Sequence, residues 1–190
     1  MNFTRALLTA ALIATTGSFS FAQKTNEVTN EYRSKLHLGL GFGMDYGGMG
    51  IKVEYLPIKY LGVFGSLGYN FRELGVNGGV QFRPLPDARI QPLVMAMYGY
   101  NGVINIKGDQ QYLDRAGLGD VNKSYYGPSV GVGGELKVGK KDNRLYLGIW
   151  LPFRSKEFTD NYDLVKESPY VEMSNELLPV TFSIGFNWAI

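Results

Sequence analysis

The chain has 190 residues with 19 basic and 17 acidic side chains, so its formal net charge at pH 7 is only +2. This near balance, without a basic patch, excludes the electrostatic surface that binding of nucleic acid requires. The absence of cysteine excludes disulfides and a lipid-modified cysteine, while 25 glycines and 14% aromatic residues are both high.

The first 22 residues have the pattern of a secretory signal. A short positive start precedes an apolar run from Ala6 to Thr15, and small side chains at Ser20 and Ala22 mark a cleavage site before Gln23. The run is about half of the roughly 20 apolar residues that a membrane-anchoring helix needs. We predict three segments: a signal peptide over 1–22, a periplasmic lead-in over 23–35, and a barrel domain over 36–190.

A strict two-residue alternation begins at Leu36 and predicts the first β-strand, which we extend to Tyr46. One face of this strand carries Leu36, Leu38, Leu40, Phe42, Met44 and Tyr46, and the other carries His37, Gly39, Gly41, Gly43 and Asp45. The same period predicts seven more strands, at about 49–56, 61–70, 74–83, 90–100, 129–138, 145–153 and 182–190. The strand near 90–100 is apolar on both faces, so its outward face stays open.

The final strand indicates what surrounds the sheet. Its large side chains, from Phe182 to Ile190, share one face, and only small or polar residues occupy the other. Such a narrow polar face suits the lumen of a small barrel better than open water.

Length and spacing favour strands that cross a membrane. Strands of about 9 to 11 residues cross the hydrocarbon when tilted, and the uncharged stretch 90–106 is broken by proline and glycine, so it is not a membrane helix. Connections near 57–59, 84–89 and 139–143 are short, whereas 102–124 and 154–177 are long. We therefore predict an all-β fold: an eight-stranded antiparallel up-and-down transmembrane β-barrel with short periplasmic turns and two long extracellular loops.

Aromatic residues gather at both predicted strand ends, as expected where rings meet lipid headgroups. The predicted outer edge carries Tyr46, Tyr69, Phe71, Tyr98, Tyr100, Tyr125, Tyr126 and Phe153, and the inner edge carries Tyr55, Tyr60, Phe82 and Trp188.

With these features the chain resembles the small OmpA/OmpX-type outer-membrane β-barrels of Gram-negative bacteria. The signal sequence, the eight alternating strands, and a C-terminal strand with Phe186 and Trp188 outward carry the resemblance. It implies location in the outer membrane, contact with outer-membrane lipid, and recognition of the C-terminal strand by the assembly machinery. The chain departs from the pattern in ending on Ile190, where such barrels often end on an aromatic residue.

The inward faces predict a cluster of charges in the barrel lumen. Eight strands leave an interior just wide enough for side chains, and buried charges persist only when paired. We therefore predict a lumen charge network of Lys52, Glu54, Arg83, Glu135 and Lys137, with His37 nearby. Inward Phe64 and Trp150 are expected to pack over glycines. Both a structural plug and a gated ion path are compatible with this pattern.

Catalytic chemistry has little support in the sequence. His37 is the one histidine, and it lies at the periplasmic end of strand 1, so no Ser-His-acid arrangement can form at the outer leaflet. The spacing of Asp160 and Asp163 does not match a calcium-binding loop. We predict no catalytic residue, no cofactor and no metal site.

The second long loop carries the remaining functional signal. Charged residues there are interspersed with Phe158, Tyr162, Tyr170 and Met173, a pattern compatible both with a docking surface for an extracellular protein or glycan and with a solvated, mobile loop that tolerates change. The sequence thus favours a non-enzymatic outer-membrane barrel with a structural or adhesin-like role through 102–124 and 154–177. Two alternatives remain: a periplasmic lipocalin-like carrier of small molecules, and a narrow ion channel or porin.

Overall fold

The computed structural model describes residues 34–104, 106, 121, 123–167 and 178–190. The predicted signal peptide and nearly all of the predicted lead-in lie outside these residues. The described elements are eight strands, a short 3₁₀ helix and one α-helix, α1. Their bounds are β1 Leu36–Gly43, the 3₁₀ helix Met44–Tyr46, β2 Gly48–Ile58, β3 Leu61–Tyr69, β4 Leu74–Phe82, β5 Ile90–Val103, β6 Ser124–Val138, β7 Asn143–Pro152, α1 Lys156–Glu167 and β8 Thr181–Ala189.

The strands form a closed barrel in sequence order, and every neighbouring pair is antiparallel. Strand β1 closes the barrel because Leu40 lies opposite Ile51 of β2 on one side and opposite Phe186 of β8 on the other. Closure gives every strand a hydrogen-bonded neighbour on both sides. The predicted all-β, eight-stranded up-and-down barrel is confirmed.

The barrel has two distinguishable ends. Residues 59–60, 83–89 and 139–142 connect strands at one end, which we call the turn end. Residues 44–47, 70–73, 104–123 and 153–180 connect strands at the other, which we call the loop end.

The exterior of the barrel is apolar on every strand. One aliphatic side chain from each strand is between 47% and 58% exposed at the outer surface: Leu40, Ile51, Val63, Val76, Val94, Val132, Leu147 and Ile184. The residues between these outward positions point inward and are buried. The predicted two-residue period therefore matches the alternation between outer and lumen-side faces of the strands. For β5, which the sequence left open, Leu93, Met95 and Met97 point inward, whereas Val94 and Tyr98 point outward.

The predicted first strand is too long. It ends at Gly43, and Met44 to Tyr46 form a 3₁₀ helix that folds into the lumen, so Met44 and Tyr46 are buried rather than outward. The backbone φ angles of Gly43, Gly47 and Gly48 are all positive, at 131°, 69° and 106° respectively. Residues with side chains rarely adopt such angles, so these glycines allow the chain to turn inward and back.

Most of the aromatic residues predicted at the strand ends are exposed. At the loop end these are Tyr69, Phe71, Tyr98, Tyr126 and Phe153, and at the turn end they are Tyr55, Tyr60, Phe82 and Trp188. Tyr46 and Tyr125 are exceptions, since both are buried, and Tyr100 is only partly exposed.

Helix α1, Lys156–Glu167, lies within the predicted second long loop, 154–177, where strand periodicity predicts no helix. Its first turn is capped by Ser155, whose Oγ accepts a hydrogen bond from the Phe158 backbone N–H at 3.2 Å. Across the described part of the chain, no helix is both long and apolar enough to cross a membrane.

Candidate functional site

The most buried part of the lumen is an ion-pair cluster near the turn end. Arg83 lies between two carboxylates, with its Nη2 2.6 Å from Glu54 Oε1 and its Nε 2.9 Å from Glu135 Oε2. All three side chains are at most 1% exposed. Neighbouring amides complete the cluster, since Arg83 donates to Gln81 and Glu135 accepts from Asn187. Each charge therefore has a partner of opposite sign, as burial requires.

The cluster continues toward the turn between β6 and β7. Arg144 lies 3.2 Å from Glu135 and 2.7 Å from Asp142, and Asp142 in turn lies 3.5 Å from His37 and 4.0 Å from Lys137. Burial raises the pKa of the Asp142 carboxyl, but hydrogen bonds from His37 and Arg144 outweigh it and hold that pKa well below its ordinary value. Asp142 is therefore ionised at neutral pH and anchors this end of the cluster.

The structure brings four of the five predicted network residues together: Glu54, Arg83, Glu135 and, through Asp142, Lys137. Lys52, the fifth predicted residue, forms its direct ion pair with Asp45 instead.

Sequence reasoning missed Arg144 and Asp142. The alternation of β7 could have predicted that Arg144 points into the lumen, because Arg144 lies on the same inward face as Tyr146 and Trp150. Asp142 lies in a turn, where strand periodicity gives no information.

Lys52 lies deeper in the barrel and pairs with Asp45 of the 3₁₀ helix at 2.8 Å, with both side chains fully buried. Its Nζ also lies 4.4 Å from the centroid of the Tyr46 ring, 4.0 Å from that of Tyr146 and 5.4 Å from that of Phe64. A cation enclosed by ring faces is stabilised by their quadrupoles. This arrangement connects the inward-folded segment to side chains of β2, β3 and β7.

Glycines on the inner wall make room for the aromatic side chains. A Cβ at Gly41 or Gly185 would collide with the Tyr46 ring. A Cβ at Gly131 would lie 2.8 Å from the Trp150 ring, and one at Gly79 would lie 2.7 Å from the Phe64 ring. The expectation that Phe64 and Trp150 pack over glycines is confirmed. The lumen is filled by side chains at its middle, as an eight-stranded barrel allows.

A second cluster covers the loop end. Phe158 and Val165 of α1 pack with Ile104, Ile106 and Val121 from the segment between β5 and β6, and with Tyr125 at the start of β6. The rings of Tyr125 and Phe158 are 5.0 Å apart at 86°, an edge-to-face contact. Lys123 and Glu157 form an ion pair at 2.7 Å. The described parts of the two long connections therefore pack against each other.

This packing corrects one expectation about the docking surface. Phe158 is only 1% exposed, so it belongs to the cluster instead of facing a partner. The apolar spacing of a helix places it on the inner side with Val165. Tyr162 is partly buried against the same cluster. Tyr170 and Met173 lie outside the described residues.

His37, the one histidine, contacts Asp142 at the turn end, far along β1 from the loop end. Among residues 34–104, 106, 121, 123–167 and 178–190, no group of three or more His, Cys, Asp or Glu side chains is arranged to hold a metal ion.

No family model and no curated protein matches the chain. One solved structure, described as a de novo design of transmembrane β-barrels, matches with 16% sequence identity over 84% of this chain and 99% of that chain, at a TM-score of 0.40.

Proposed function

We propose that the protein is an integral outer-membrane barrel with a closed lumen, a non-enzymatic scaffold that displays a binding surface at its loop end. The proposal rests on a distribution of side chains opposite to that of a water-soluble barrel. The exterior is apolar around the whole barrel, and its lumen holds buried charged side chains. A barrel in water would need the opposite arrangement, whereas lipid requires this one.

The same reversal disfavours a lipocalin-like carrier, whose ligand cavity would be lined by apolar side chains. The interior near the turn end instead carries Glu54, Arg83, Glu135 and Arg144 in mutual contact. An open ion path is disfavoured because Tyr46, Tyr146 and Trp150 are all completely buried across the middle of the lumen.

The two tryptophans provide a test of membrane insertion. Trp188 is 44% exposed on the outer surface, and Trp150 is completely buried in the lumen. After refolding into phosphatidylcholine vesicles, brominated acyl chains should quench the Trp150→Phe variant strongly and the Trp188→Phe variant weakly. Equal quenching of the two variants, or recovery of a water-soluble protein without detergent, would contradict the proposal.

The binding role rests on the packing of α1 against the segment that precedes β6. Because Lys123 pairs with Glu157 and Phe158 packs on Tyr125, the described parts of 102–124 and 154–177 present one joined surface. The exposed side of α1 carries Asp160, Asp163 and Leu164.

We expect the purified protein to bind a member of an array of glycans and extracellular proteins, and the charge-reversed variant D160K/D163K to lose that binding while its barrel stays folded. Lys140→Glu, an exposed charge change at the turn end, is the matched control. Binding that survives the α1 variant would refute this role for the helix.

A further inference from the structure

A cavity of about 340 Å³ lies at the loop end between the inward-folded 3₁₀ helix and α1. Met44 lines it on the lumen side and Phe158 on the helix side, and most of the remaining lining is apolar. Its volume falls within the range of about 300 to 1,000 Å³ that ligand sites occupy. We call this space the rim cavity.

The rim cavity reaches the outer surface through a gap in the barrel wall. Strand β1 leaves the wall after Gly43 to form the 3₁₀ helix, so Thr181 and Phe182 at the start of β8 pair only with β7 among the described strands. The lining includes Phe42 and Phe182, which are 48% and 63% exposed on the exterior. A chain lying against the outside of the barrel could therefore enter between β1 and β8.

One cation lines the cavity without a carboxylate. Arg154 donates from Nη2 to the Leu178 carbonyl at 3.0 Å, and its guanidinium carbon lies 5.4 Å from the centroid of the Phe158 ring. Within the described part of the chain it forms no ion pair, and its buried Nε has no hydrogen-bond partner. Burial lowers the pKa of this guanidinium, although the Tyr100 and Tyr162 hydroxyls oppose the change. Burial removes water from the guanidinium, and a bound anion would compensate for that loss by pairing with its charge.

A second polar group points to a ligand. Asn101 lines the same cavity, is only 1% exposed, and donates its amide to the Phe153 carbonyl at 3.1 Å. Its Oδ1 has no hydrogen-bond donor among the described residues. A buried acceptor without a donor is costly, and a hydroxyl hydrogen of a ligand headgroup would satisfy it.

We propose that the rim cavity binds a single-chain anionic lipid from the surrounding membrane, with its phosphate on Arg154 and its acyl chain in the apolar part of the cavity. This inference rests on the proposed insertion of the barrel into a membrane. The ligand enters laterally through the gap between β1 and β8. Asn101 accepts a hydrogen bond from a hydroxyl group of the glycerol.

Photolabelling tests the proposal with two probes that differ in one group. The refolded full chain in phosphatidylcholine vesicles is irradiated with a diazirine-bearing monoacylglycerol phosphate or with the monoacylglycerol of the same chain. Mass spectrometry should map the phosphate probe to Met44 and Val103, with labelling at least about tenfold above that of the neutral probe, because a charge-assisted pair with Arg154 is lost in the latter.

Matched variants separate the headgroup contact from the chain contact. Arg154→Gln should lower labelling by the phosphate probe about tenfold, whereas Arg72→Gln, an exposed cation at the same end, should leave it unchanged. Val103→Trp should block both probes by filling the cavity. Excess glycerol 3-phosphate, which has no acyl chain, should compete poorly.

Three outcomes would overturn the proposal: equal labelling by the two probes, full displacement by glycerol 3-phosphate, or labels confined to outward strand residues. Brominated-lipid quenching of Trp188 in the same samples keeps the two proposals distinguishable. Normal quenching without cavity labelling refutes the lipid site and leaves membrane insertion standing.

Discussion

Replacing Arg83 by methionine should be among the most destabilising single changes in the barrel. Arg83 lies 2.6 Å from Glu54 and 2.9 Å from Glu135, and all three groups are fully buried. Without the guanidinium, Glu135 still contacts Arg144, but Glu54 has no other ion-pair partner among the described residues. Leaving one buried charge without a partner costs about 3 to 5 kcal/mol, which we expect as the loss in free energy of unfolding.

A double-mutant cycle identifies the origin of that loss. Glu54→Gln alone should cost less than Arg83→Met, because Arg83 keeps Glu135 and Gln81 as partners. The double variant R83M/E54Q should be more stable than the sum of the two single changes predicts, by about 1 to 3 kcal/mol, because the orphaned carboxylate is gone.

Urea unfolding from phosphatidylcholine vesicles, followed by tryptophan fluorescence, measures these differences. Lys59→Met is the control, since Lys59 and Asp87 are 2.9 Å apart but 45% and 72% exposed, and loss of such a solvent-screened pair should leave the free energy of unfolding almost unchanged. If Arg83→Met costs no more than this control, or if the cycle is additive, the argument that pairing governs the lumen is refuted.

Three further predictions concern the packing of Tyr46 in the lumen, the cluster around Phe158 at the loop end, and Asp142 at the turn end. Gly185→Val places side-chain atoms against the Tyr46 ring and should cost about 1 to 3 kcal/mol, lowering the temperature at which the folded band disappears in gels; adding Tyr46→Ala should reverse the effect, and no reversal would refute the contact. Phe158→Ala should speed amide hydrogen exchange in α1 while the strands keep their protection, and loss of protection in the strands as well would show that α1 and its apolar cluster do not open independently of the barrel. Because the pKa of Asp142 is lowered by folding, its carboxylate stabilises the protein above about pH 4 and loses that contribution progressively as the pH falls further; Asp142→Asn should flatten this part of the stability profile, and an unchanged slope in acid would refute the assignment.

Side-chain alternation made the fold predictable. In a strand, neighbouring residues face opposite sides, so the order of apolar and polar residues in β1 or β8 states which face meets lipid. Strand β5 resisted this reading because both of its faces are apolar. The outward face of β5 is set by its pairing with β6. Val94 lies opposite Val132 of β6, and directly paired residues point to the same side of a sheet.

Several parts of the site depend on residues that are distant in sequence. Tyr46 continues the alternation of β1, yet it folds inward because Gly185 of β8 leaves space for its ring. Lys52 pairs with Asp45 for the same reason, since the inward turn carries that carboxylate into the lumen. From the sequence, Phe158 is expected to be an exposed loop residue, but Tyr125 and Val165 pack against it and bury it.

The order of residues along the chain is enough to locate the eight strands, the outward faces of all of them except β5, and the inward position of most of the buried charges, because a two-residue period is a local property of the backbone. Three features follow from the three-dimensional arrangement alone: which charges pair, the filling of the lumen by Met44 to Tyr46, and the position of Arg154 at the rim cavity without a carboxylate. These features arise where segments far apart in the chain meet, and their physical cause is the space and charge that each segment finds in the others.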